Sequence, residues 1–84
     1  MPLQRQIAAL MELAESMGIA VRRAPAMGSE HPGGALVRLK GKDILFLDPT
    51  APSGDQLEVA AAALRGRPEL ADRFLPPEIR ELLE

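Results

Sequence analysis

The chain contains no cysteine, tryptophan, tyrosine or asparagine. Without cysteine it has neither a disulfide framework nor a thiolate metal site. Phe46 and Phe74 are its only aromatic residues, so it offers no platform on which bases would stack. Positive charge is also short: 10 Lys and Arg face 12 Asp and Glu, a net charge of −2. That balance suits neither a phosphate backbone nor an anionic lipid surface. The longest unbroken apolar run is the six residues Val59 to Leu64, against the roughly 20 of a membrane-spanning helix. Arg5 is followed by no apolar h-region, so the N-terminus does not read as a signal peptide. These absences predict a cytoplasmic protein that binds neither nucleic acid nor membrane and carries no cofactor.

What is present is a small aliphatic chain of 84 residues, with 13 Leu, 13 Ala, four Ile, three Val and four Met. This length predicts one domain, residues 1–84. So small a core barely offsets the entropy lost on ordering the chain, which makes self-association an expectation from the outset.

Leu3, Ile7, Leu10, Ala14 and Met17 recur at helical spacing after Pro2, and Gly18 suits a left-handed helix end. A helix is therefore predicted from Pro2 to Met17. Ile19 to Ala24 reads as a short strand whose Arg22 and Arg23 would guard an edge. Residues 25 to 34, rich in Pro and Gly, read as a loop. Ala35 to Lys40 and Asp43 to Asp48 read as two strands, with Gly41-Lys42 at the centre of a type II′ hairpin turn. In the first of them Ala35, Val37 and Leu39 are the inward candidates, and Leu36, Arg38 and Lys40 take the other face. Ser53 followed by Gln56 resembles a capping box, opening a helix that runs to about Arg65 with Leu57, Ala60, Ala61 and Leu64 on one face. Pro68 begins a short helical turn, and Pro77 a last helix through Leu83. The expected class is α+β in the order αβββαα. It comprises a three-stranded, mostly antiparallel sheet, an N-terminal helix and two C-terminal helical segments.

Three stretches carry a resemblance. They are Ile19-Ala20-Val21-Arg22; Gly33-Gly34 with Arg38-Leu39-Lys40-Gly41-Lys42 and Leu45-Phe46-Leu47-Asp48; and Phe74-Leu75-Pro76-Pro77-Glu78-Ile79-Arg80-Glu81. In these the chain is similar to a family of small uncharacterised bacterial proteins. The likeness implies an independent protein and brings no activity with it. The layout is also similar to minimal zinc metallopeptidase-like domains, which place His-Glu-x-x-His on the helix after the last strand. Ala61, Ala62 and Arg65 stand at the matching positions, so this second likeness implies a scaffold without metal or catalysis.

The chemistry-bearing residues are few. His31, the only histidine, lies in Ser29-Glu30-His31-Pro32-Gly33-Gly34. A catalytic reading makes it a general base beside Glu30 or Ser29. Neighbours in an extended loop point apart, and a solvated loop is the simpler reading. Gly33 and Gly34 could offer N–H groups to an anion, with Arg22, Arg38 or Lys40 supplying charge. Asp43 and Asp48 bracket the third strand about 16 Å apart on opposite faces, too far apart to form an acid/base pair. Arg22, Arg38, Lys40 and Lys42 would form a basic face on the outer side of the sheet, which reads first as a solvated or edge-protecting surface and, as the alternative, as a surface for an acidic protein partner.

The function expected is a non-enzymatic protein-interaction or regulatory module. The alternatives are a ligand-binding protein or enzyme using the 29–34 loop, or the dead scaffold above. Four successive apolar residues, Ile44 to Leu47, cannot all be covered by one layer. Either the C-terminal segment around Phe74 and Leu75 crosses the second face, or a homodimer covers it.

Overall fold

The computed structural model describes residues 1–25 and 32–84. Leu3–Ser16 form α1, Ala20–Arg23 β1, Gly34–Leu39 β2, Lys42–Leu47 β3, Ser53–Leu64 α2 and Pro77–Leu83 α3, with a 3₁₀ turn over Pro68–Asp72 before α3. The α+β order αβββαα is the one the sequence predicts. The sheet within it is mixed: β3 is central, pairing antiparallel with β2 and parallel with β1. No helix of the described residues is long and apolar enough to cross a membrane.

The core fixes the sides of the sheet. Leu45 and Leu47 are fully buried with Ile7, Leu10 and Ala14 of α1 and Ala60, Ala61 and Leu64 of α2. Directly paired residues share a face. Leu45 pairs with Val21 and Leu36, and Leu47 with Arg23 and Gly34. Those residues, with Arg38 and Asp43, therefore face the helices. Ala20, Arg22, Ala35, Val37, Leu39, Lys42, Ile44 and Phe46 fall on the opposite, open face. The expected inward set Ala35, Val37 and Leu39 is thus reversed: Val37 and Leu39 are 40% and 55% exposed. Arg38 is tolerated on the helix face because it lies near the hairpin end, where Asp43 receives it at 3.4 Å.

The hairpin turn sits one residue earlier than expected. Leu39 pairs with Lys42, so Lys40 and Gly41 are the two central residues, at φ 52° and 78°. Positive φ at both defines a type I′ turn in place of type II′. Lysine in the left-handed region carries strain that glycine lacks. Lys40→Gly should accordingly stabilise the fold by about 0.5 kcal/mol, whereas Gly41→Val should cost more than about 1 kcal/mol. Urea denaturation of the two variants checks this, and a stabilised Gly41→Val would contradict the turn. Lys42→Ala, on the strand side, should be nearly neutral.

The helix ends are built partly as expected. Gly18 and Gly66 follow α1 and α2 at φ 84° and 76°. The capping box does not form. Ser53 is already the first residue of α2, Pro52 precedes it, and no side chain caps the helix. Gln56 is buried and its Nε2 donates 2.8 Å to the Ala51 carbonyl.

The C-terminal segment packs on the helix side. Ile79 and Leu83 are buried in the core, and Leu75 packs against it. Arg73 donates to the Ser16 hydroxyl at 2.8 Å and Arg65 to the Leu82 carbonyl at 2.9 Å, tying this segment to α1 and α2. Phe74 is 88% exposed. The segment around Phe74 and Leu75 is thus not what covers the open face.

Candidate functional site

The expected site residues separate into groups. His31 lies outside the described residues. Gly33 and Gly34 are buried. A Cβ on Gly33 would strike the Asp55 carbonyl in the first turn of α2, and one on Gly34 the Phe46 carbonyl of β3. The absent side chains thus let α2 approach at Gly33 and the central strand at Gly34.

Arg38 and Arg22 stand on opposite faces, because the register puts Arg38 across from Asp43 and Arg22 across from Phe46. The continuous basic face expected of Arg22, Arg38, Lys40 and Lys42 is thereby split. On the helix side Arg67 clamps the corner: its Nη2 meets Asp43 at 3.0 Å and its Nε donates 2.8 Å to the Ala63 carbonyl. Asp43 therefore holds two arginines. Asp48 accepts from the Thr50 N–H at 2.8 Å and the Thr50 hydroxyl at 2.6 Å, which closes the turn before α2. Both aspartates have structural partners, and they do not meet.

Arg22, Lys40 and Lys42 remain together. They line a groove of about 650 Å³ at the hairpin end of the sheet. The groove exists because β3 begins at Lys42, while its pairing with β1 starts only at Ile44 opposite Ala20. The end of α1 and Gly18 supply one wall, and Ala20, Leu39 and Ile44 give it apolar surface. Of the two acids on its lining, Asp43 is held by Arg38 and Arg67, which leaves Glu15. Among the described residues none of Arg22, Lys40 and Lys42 has a carboxylate within ion-pair distance. A chain of net charge −2 thus presents one groove with an apolar floor and a cationic rim.

Arg22, Lys40 and Lys42 belong to the basic face that the sequence predicts, whereas the apolar groove residues Ala20, Leu39 and Ile44 are not among its candidate site residues. The available signal was alternation. Once Leu45 is inward, Ile44 and its β2 partner Val37 must face outward, and Leu39 with them.

Among the described residues no three His, Asp or Glu side chains stand together as metal ligands. Ala61 is buried in the core, and Arg65 pairs with Glu58 at 3.1 Å. No family model, curated protein or solved structure matches the chain.

Proposed function

We propose that the chain is a non-enzymatic interaction module whose hairpin-end groove docks an acidic, apolar-bearing segment of a partner protein. The observation that carries this reading is the trio Arg22, Lys40 and Lys42 around the apolar surface of Ala20, Leu39 and Ile44. An extended peptide alternating acidic and apolar residues matches both features. Its apolar side chains cover the floor while its carboxylates reach the rim. Long-range attraction between rim and peptide speeds association and makes it salt-dependent.

The test is fluorescence anisotropy with a labelled peptide of alternating Glu and Leu, against a control of alternating Lys and Leu. Saturable binding of the first alone is expected, weakening as salt is added. The double change Arg22→Glu with Lys40→Glu should weaken it by at least about tenfold, or 1.4 kcal/mol. Arg80→Glu, at an exposed position of α3, should leave it unchanged. Binding that ignores the Arg22 and Lys40 changes, or no binding at all, would overturn the reading.

A further inference from the structure

The two edges of the sheet are unequally protected. β1 has four residues, two of them Arg22 and Arg23, and charges of this kind discourage edge pairing. β2, on the other edge, has six residues with Arg38 as its one charge. In an antiparallel ladder, alternate residues turn both N–H and C=O toward the neighbouring strand. The Gly33 carbonyl accepts from the Asp48 N–H at 2.9 Å. By that alternation Ala35, Val37 and Leu39 bond across to Phe46, Ile44 and Lys42. Leu36 and Arg38 therefore turn their N–H and C=O groups outward, away from the sheet.

We propose that a second copy of the chain pairs along this edge, antiparallel and about a twofold axis at Leu36, joining the two sheets into one of six strands. The register is self-complementary, as a twofold interface requires. Leu36 faces its own copy, and Arg38 faces Gly34 of the second copy, so no like charges oppose each other. Around Leu36 the helix side of the edge is apolar. Leu36, 40% exposed, borders a cleft of about 410 Å³ between β2 and α2, lined also by Pro32, Val59 and Ala62. Pairing closes this cleft from both sides.

Charge completes the match. Arg38 is 72% exposed and holds Asp43 only at 3.4 Å. Gly33 lies against the first turn of α2, which carries Asp55. Arg38 of each copy, brought opposite Gly34, thus arrives at the acidic N-terminal turn of the other copy's α2, where the arginine is favoured. The groove at the hairpin end takes no part and stays free in both copies.

Sedimentation equilibrium from micromolar to submillimolar concentration tests this. The wild type should approach twice 9.0 kDa. Leu36→Lys and Arg38→Glu should each weaken the dimer by about tenfold or more, with circular dichroism spectra unchanged. Adding Asp55→Lys to Arg38→Glu should restore association, which a merely misfolded variant would not show. Leu39→Lys, on the open face, should leave the dimer intact. A mass that stays at 9.0 kDa overturns the proposal. So does a dimer broken by Leu39→Lys and indifferent to Leu36→Lys, since that pattern means face-to-face packing.

Discussion

Gly34→Ala is expected to cost at least about 3 kcal/mol, enough to unfold a domain of ordinary marginal stability. Two effects add at this position. Gly34 has φ 135°, a region that L side chains rarely adopt. A Cβ there would also meet the Phe46 carbonyl oxygen, with the Leu47 Cα at 3.0 Å. Both belong to the backbone of the central strand, which cannot rotate away as a side chain would. Relief would require β2 to separate from β3 at the Gly34–Leu47 pair, beside the buried Leu47. Gly18→Ala separates the two effects. Gly18 has φ 84° but open space around its Cβ position, so it should lose only about 1 kcal/mol. Urea denaturation of the two variants gives the comparison. Equal losses would mean that the contact with β3 costs nothing.

These glycines show how far the sequence could be read. Gly33-Gly34 stood out as a pair, but a glycine pair reads equally as an anion cradle or as a close backbone contact. Only the position of α2 over β2 distinguishes the two. The order of elements is legible because each boundary carries its own local signal: Pro2, Gly18, Gly41, Pro68 and Pro77 all lie within two residues of the ends they mark. The pairing partners carried no such signal. The parallel contact between β1 and β3 joins segments more than 20 residues apart, for example Ala20 with Ile44.

The sides of the sheet were the harder problem. Ile44 to Leu47 are apolar throughout, so β3 has no alternation from which to infer its buried side. On β2, Arg38 and Lys40 made the Leu36 side look like the solvent side. What decides otherwise is a tertiary arrangement. Leu45 and Leu47 both fit beneath α1 and α2, while Arg38 near the end of the strand finds Asp43, itself held by Arg67. The basic face divided for the same reason, and the groove appeared where β1 starts late. The turn lies one residue earlier than the sequence predicts because Lys-Gly is not among the usual type I′ pairs. The spacing of Gln56 from Ser53 predicts a capping box. The helix begins one residue too early for that, and the Gln56 Oε1 has no hydrogen-bond partner among the described residues.

Truncating β2 and β3 side chains measures directly which face is covered. Leu45→Ala should cost about 3 to 4 kcal/mol, the range for a fully enclosed leucine whose neighbours cannot collapse into the space. Leu45 is 0% exposed, and it lies on the central strand with helices above it and a neighbouring strand on each side. Leu39→Ala removes the same atoms from a residue 55% exposed on the open face. It should cost less than about 0.5 kcal/mol, because most of that side chain is already in water. The contrast of roughly 3 kcal/mol between two chemically identical truncations is the quantity to measure, by urea denaturation at a concentration where both variants have the same association state. If Ala35, Val37 and Leu39 were the inward set, Leu39→Ala would be the damaging change and Leu45→Ala the mild one. The sign of the difference therefore assigns the faces without a structure. It also determines whether Leu39 and Ile44 are available to a partner in the groove or committed to holding the fold together.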